Sequence, residues 1–168
     1  MNKTILNWIQ PTKPVFTLQP QSQTKYEGDS VTFTANAVGT PNPTYQWQFN
    51  GVDIIGQTFA SYTNVSVMTN DAGNYTCVAT NSAGSTTSGA AALTVLSSQA
   101  TFAVPIVTNG DLELTVSKVA GLQYAIEANT NLLTTNWVIL TTNTAPFTFS
   151  DSAFTNDSMR FYRAIYLP

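Results

Sequence analysis

The sequence predicts an all-β chain built as two β-sandwich domains in tandem. Three observations carry that reading. Apolar and polar residues alternate with period two in short runs, so each strand has one buried and one wet side. Clusters of Gly, Pro, Asn and Asp punctuate these runs at intervals of about ten residues, as in antiparallel sandwiches. No stretch of useful length carries an apolar stripe of helical period. At 168 residues the chain is long for one small sandwich and comfortable for two.

Residues 1–14 read as an extended arm, because Pro11 and Pro14 exclude helix at its end. Val15 to Pro20 is a first strand, and Tyr26-Glu27-Gly28-Asp29 a turn. Val31, Phe33, Ala35 and Ala37 alternate with Thr32, Thr34 and Asn36. Gly39 to Pro43 breaks the chain, after which Tyr45, Trp47 and Phe49 share a face against Gln46 and Gln48. Asn50-Gly51 suits a tight hairpin, since both positions tolerate positive φ, and it leads into Val52 to Ile55. Tyr62 to Met68 forms the next strand. Tyr75, Cys77 and Ala79 then point inward, and after the turn Asn81-Ser82-Ala83-Gly84 so do Ala91, Leu93 and Val95. The first domain therefore spans 15–97.

The second domain, 98–168, follows a short seam at Leu96 to Gln99. Its strands are expected at Phe102 to Val107, Leu112 to Val116, Tyr124 to Ala128, Trp137 to Thr141, Phe147 to Phe149 and Arg160 to Leu167, with a turn at Asn109-Gly110-Asp111. About six strands in roughly seventy residues make a small sandwich of marginal size.

Asp71-Ala72-Gly73-Asn74-Tyr75-Thr76-Cys77 combines an acidic turn, a corner tyrosine and a cysteine two residues on. It joins Glu27 to Phe33, Tyr45-Gln46-Trp47 and Asn81 to Gly84. On these motifs residues 15–97 resemble the I-set-like immunoglobulin domains of bacterial secreted and surface proteins. The resemblance implies a Greek-key sandwich used as a spacer, display or adhesion module, with no enzyme activity. Two departures stand out. The first cysteine of the usual inter-sheet bridge is Ala35, so the domain lacks its disulfide and Cys77 has no partner. A bridge over that loop contributes about 4 kcal/mol in the chain-entropy account, so packing around Trp47 must supply that stability. Asn64 stands where a buried aliphatic is expected counting back from Asp71, which predicts a bulge or register shift. Trp47, Tyr75 and Cys77 are the expected core of this domain.

Residues 100–168 resemble a small β module found at the C-terminal ends of large secreted bacterial proteins. The residues carrying this are Tyr124 to Ala128, Thr130-Asn131-Leu132, Trp137, Phe147 to Asp151 and Arg160 to Arg163. The resemblance implies a terminal sandwich of an exported chain. Trp137 and Phe161 are its expected core, with Trp137 core or half-buried.

Composition excludes several functions. Hydrophobic content of 43% is enough for real cores and argues against disorder. Charged residues are 9% against roughly 25% in average domains, so the surface is polar and almost uncharged. The six cations, Lys3, Lys13, Lys25, Lys118, Arg160 and Arg163, form no basic stripe, so no nucleic-acid partner is expected. No run approaches the roughly 20 apolar residues of a membrane span. Histidine is absent and Cys77 is the single cysteine, which removes the commonest general base and any cysteine-based zinc site. The Thr- and Asn-rich surface and the two resemblances point to an extracellular or cell-surface location. The N-terminal apolar patch is too short for a secretory signal, so an exported chain has lost its signal or is a piece of something longer.

Catalysis, cofactor and metal are all expected to be absent. Asp111 and Glu113 share a strand face, but the wet one, and read as solvated surface with a calcium-lined edge as the alternative. Asp71 reads as a turn residue ahead of the corner tyrosine. Asp151 and Asp157 flank a loop with Ser150, Ser152, Asn156 and Ser158 that reads as capping, again with calcium as the alternative. Without histidine no Ser-His-Asp arrangement exists. Lys118 lies in no Ser-x-x-Lys spacing, and no Gly-rich phosphate loop occurs.

The expected function is a non-enzymatic extracellular structural or adhesion module of a bacterial secreted or surface protein, contacting protein or surface glycan. Two alternatives stay open. The arm residues Ile5, Leu6, Trp8 and Ile9 are too apolar to stand in water. They fold back on the second domain or add as a β-strand to a neighbouring copy, building a self-assembling filament. The aromatics suit a glycan-binding accessory module, although Trp47 reads as core and Tyr45, Tyr124 and Tyr162 as packing.

Overall fold

A computed structural model describes residues 10–117, 119–157 and 159–168; Ile5, Leu6, Trp8 and Ile9 lie outside the described residues. The chain forms two compact units, Met1–Leu96 and Ser97–Pro168. Both are all-β, and the described residues contain no α-helix.

The first unit comprises β1 (Thr12–Leu18), β2 (Gln23–Tyr26), β3 (Val31–Thr34), β4 (Asn36–Thr40), β5 (Thr44–Phe49), β6 (Val52–Asp53), β7 (Ser61–Asn64), β8 (Gly73–Asn81), β9 (Gly84–Thr87) and β10 (Ala91–Leu96). One larger sheet runs β2-β10-β8-β5-β6, with β9 continuing along β8. The facing strands pair as β1 with β4 and β3 with β7. Only β2 joins its neighbour β10 in parallel.

Trp47 lies directly across from Cys77 in the β5–β8 ladder, with Tyr45 across from Ala79 and Phe49 from Tyr75. Period-two alternation therefore points all six residues toward one face. The indole is fully buried. Its neighbours Phe33 and Tyr62, at ring centroids 6.2 and 6.4 Å, come from β3 and β7 on the facing side. Burial would strand the indole N–H, but it donates to Phe59 O at 3.0 Å. Phe33 stacks on Tyr75 at 4.7 Å, and the Tyr75 hydroxyl donates to Asp71 O at 2.9 Å. Val31, Ala35, Val67, Ala91 and Leu93 complete the cluster.

Three local features differ from the sequence expectation. The first strand starts at Thr12 rather than Val15. Pro14 sits at an irregularity between Thr12 and Val15, where its missing N–H removes no ladder bond. The β3–β7 register runs unbroken from Val31 opposite Asn64 to Thr34 opposite Ser61, so no bulge exists at Asn64. The strand ends there because the Asn64 amide donates to Asp71 Oδ2 at 3.1 Å, and the buried aliphatic is Val67 instead. The last strand is interrupted between β9 and β10. There Ser88 N–H donates to Cys77 O at 2.8 Å, while Cys77 N–H donates to the Ser88 hydroxyl at 2.9 Å.

The second unit comprises β11 (Thr101–Phe102), β12 (Ile106–Thr108), β13 (Asp111–Ser117), β14 (Gln123–Asn129), β15 (Val138–Thr144), β16 (Phe147–Asp151) and β17 (Phe161–Leu167). β13 is central in one sheet, between β16 and the collinear pair β11 and β12. Pro105 falls in the gap of that pair. β14 is central in the other sheet, between β15 and β17. Leu114, Val116, Tyr124, Ile126 and Ala145 form the core.

Trp137 and Phe161 are not in that core. A register shift between Ile126 and Glu127 inserts Leu140 into β15, and one extra residue exchanges the faces of everything beyond it. Trp137 is thereby turned to the side of Glu127 and Arg163, and the Arg163 guanidinium lies 4.2 Å from its ring centre. On β17, Tyr162, Ala164 and Tyr166 pair with Ala128, Ile126 and Tyr124 and share their inward side. Phe161 has the opposite parity.

Trp47→Ala should cost about 3–5 kcal/mol in urea unfolding, followed by far-ultraviolet circular dichroism. Ala35→Cys should form a bridge to Cys77 and raise stability by up to about 4 kcal/mol, a gain abolished by reductant.

Candidate functional site

A concavity of the second unit lies where β14 runs out. A groove of about 410 Å³ is lined there by Asn129, Thr130, Asn131, Asn136, Val138 and Arg160. Asparagine builds its wall, because an Asn side chain can imitate a backbone turn. Asn129 Oδ1 accepts from Asn131 N–H at 3.0 Å, and its amide donates to Thr134 Oγ1 at 3.2 Å. Asn131 Oδ1 in turn accepts from Leu133 N–H at 2.9 Å.

Arg160 is held from behind. Its Nε lies 2.9 Å from Asp151 Oδ2 in an ion pair whose angle falls short of an aligned hydrogen bond. Its Nη1 donates to Asp157 Oδ2 at 2.7 Å. Asp151 is only 5% exposed, and a carboxylate so placed needs partners. It accepts from Ala153 N–H at 2.9 Å and from the Tyr162 hydroxyl at 2.8 Å. Burial, together with the hydrogen bond and charge of Asp151, pushes Tyr162 up to about 12. One guanidinium thus faces two carboxylates, so the groove offers hydrogen-bond donors without net positive charge.

The structure brings Asp151 and Asp157, expected as loop caps, together on Arg160. It brings Asp111 to Ser150, whose hydroxyl donates to Asp111 Oδ2 at 3.3 Å. Trp137 is half-buried beside the groove but faces away from it, under Arg163, which itself pairs with Glu127 at 2.7 Å. Trp47, Tyr75 and Cys77 are buried. Burial pushes the Cys77 thiol up to about 11, so it is a protonated, inert thiol at neutral pH. Among the described residues no group of three or more acidic or cysteine side chains could hold a metal ion.

The sequence reading missed two features. One is the groove, whose only signal was the Asn- and Thr-rich run from Asn129 to Asn136. The other is an exposed apolar segment after β6, where Ile55 is 94% and Phe59 75% exposed. Its backbone is tied down by Ile54 N–H to Trp47 O and Trp47 N–H to Gln57 O, both at 2.9 Å, so these side chains are presented outward.

Comparison with known proteins gives a family match over part of the chain. Residues 13–81 match the family model described as immunoglobulin domain. The chain is 40% identical over 89 residues to endoglucanase C of Cellulomonas fimi, covering 51% of this chain and 8% of that protein. It is 34% identical over 116 residues to protein sidekick of Drosophila melanogaster, covering 65% and 5% respectively. The chain therefore spans less than a tenth of either relative. Among solved structures, the tandem Ig repeats of Dlar align with a TM-score of 0.47 at 29% identity, over 50% of this chain and 48% of that one. The first unit carries an immunoglobulin-like domain.

Asp151→Asn should lower stability by about 2–4 kcal/mol, read by urea unfolding. The wild-type protein should lose stability as pH rises from about 10 to about 12. Tyr75, which burial followed by its neighbours Tyr62 and Asp71 holds at about 12, and Tyr162 keep their protons when folded in that window. The unfolded chain has released its own near pH 10. Asp151→Asn should also bring one phenol's ionisation down, seen by ultraviolet titration.

Proposed function

We propose that this chain, with its immunoglobulin-like front domain, is a non-enzymatic structural and adhesion module on the outside of a bacterial cell or on a protein that the cell secretes. The observation that carries the reading is the family match over residues 13–81, laid on a unit whose distinctive side chains are committed to architecture. Trp47, Tyr75 and Asp71 bond to backbone groups of their own unit, and Cys77 is inert. Similarity to a Cellulomonas fimi protein supports the bacterial setting. A chain with only 9% charged residues suits exposure outside the cell. The chain acts as two folding units joined near Leu96, able to hold a partner-bearing surface at a distance.

Single-molecule stretching tests the spacer role. Two separate unfolding events, releasing about 30 nm and about 25 nm of chain, are expected. One merged event, or extension without any, would contradict it.

The groove favours a second reading, a glycan-binding accessory role. Neutral amides and hydroxyls with a guanidinium outnumbered by two carboxylates suit a neutral polyhydroxyl ligand better than an anion, and about 410 Å³ is the scale of a small saccharide. Titration of the labelled protein with cellobiose and with diacetylchitobiose should shift amide signals of 128–138 and 160, and Asn136→Ala should weaken that response while Trp137→Ala leaves it. Unmoved groove signals with both sugars would rule this reading out.

A further inference from the structure

The molecule contains two copies of one turn. Asn50-Gly51 joins β5 to β6, closed by Phe49 opposite Val52. Asn109-Gly110 joins β12 to β13, closed by Thr108 opposite Asp111. Both asparagines have positive φ, 49° and 55°, and both glycines follow at 82° and 94°. Both asparagines are exposed. The dipeptide, the turn and the solvent access are matched.

The side chains are not matched. Asn50 is clamped: its Oδ1 accepts from Asn74 N–H at 2.9 Å and its own N–H donates to Asn74 O at 2.8 Å. It also lies against Gly73, where a Cβ would stand 2.8 Å from Asn50 Oδ1. The Asn109 side chain makes no hydrogen bond among the described residues.

That difference has a chemical consequence, because an Asn-Gly pair can modify itself. The backbone nitrogen of the glycine attacks Cγ of the preceding asparagine, a new C–N bond forms, and the amide nitrogen leaves as ammonia. Water then opens the five-membered imide at either carbonyl, giving aspartate or isoaspartate. No oxidation is involved, and water is the only co-reactant. The glycine matters because it has no Cβ to obstruct the approach. The asparagine side chain must be free to swing toward it.

We propose that Asn109-Gly110 is a spontaneous deamidation and isomerisation site of the folded protein, and that the Asn74 clamp protects the otherwise equivalent Asn50-Gly51. The product makes the net charge one unit more negative than −3 and sets a second carboxylate beside Asp111. The isoaspartate form adds one backbone atom to a two-residue turn. This breaks the register that holds Ile106, Val107 and Thr108 on β13.

Incubating the native protein in mildly alkaline buffer, then digesting in acid and mapping peptides by mass spectrometry, decides the matter. The one-dalton gain should accumulate at Asn109 at least about fivefold faster than at Asn50, the factor expected when one hydrogen bond must first break. In concentrated urea the two rates should converge to within about twofold. Equal rates in the native protein, or faster conversion at Asn50, would overturn the proposal. So would a preference for Asn109 that survives unfolding, because the cause would then lie in the flanking sequence.

Discussion

The first unit depends on the contact of the Trp47 indole with the rings that face it. Ala35 and Cys77 are both buried but cannot bond covalently, so packing and the indole hydrogen bond hold the two layers together at that point. An indole fills such a space well: it removes a large apolar area from water, and its one polar atom is satisfied by Phe59 O. Phe33, Tyr62 and Tyr75 extend the contact into a continuous aromatic layer. The corner around Asp71 then locks the end of that layer. Asp71 accepts from Met68 N–H and the Asn64 amide through its carboxylate and from Tyr75 through its carbonyl. The buried serine at the break between β9 and β10 bonds to both sides of the Cys77 peptide, so the cysteine position is fixed by hydrogen bonds.

The second unit solves the same problem differently. Its core is small, centred on Tyr124 and Ile126, and its polar end is tied by a buried carboxylate. Asp151 gathers a tyrosine, an arginine and a backbone amide, which ties that end together through polar contacts. The arrangement also positions the groove, because Arg160 can line it only while Asp151 and Asp157 hold the guanidinium. The fold and the groove are therefore coupled there, and in the first unit the exposed segment of Ile55 and Phe59 is likewise tied to the core, through Gln57 O and Phe59 O on Trp47.

The fold class was legible because alternation and turn chemistry are local. Tyr75, Trp47 and the Asn-Gly turns announce themselves by identity and spacing alone. What could not be read was register. Counting back from Asp71 assumes an uninterrupted strand, but the chain turns after Asn64 and brings Val67 inward. Trp137, expected as core or half-buried, is half-buried, because Leu140 adds a residue to β15 and turns the indole to the face of Glu127 and Arg163. Phe161 failed for the related reason that adjacent aromatics, Phe161 and Tyr162, leave the parity of a strand ambiguous. The groove was invisible because its walls come from turns whose side chains bond locally, and such bonds leave no periodic trace.

Hydrogen exchange at the indole N–H groups is the measurement closest to the central claim. If Trp47 closes the first unit in place of a bridge, its Nε1 proton should exchange only through global unfolding, among the slowest protons of that unit. The half-buried Trp137 should exchange far sooner. A Trp47 signal lost within the first minutes, while the strand amides of β8 remain protected, would contradict the account.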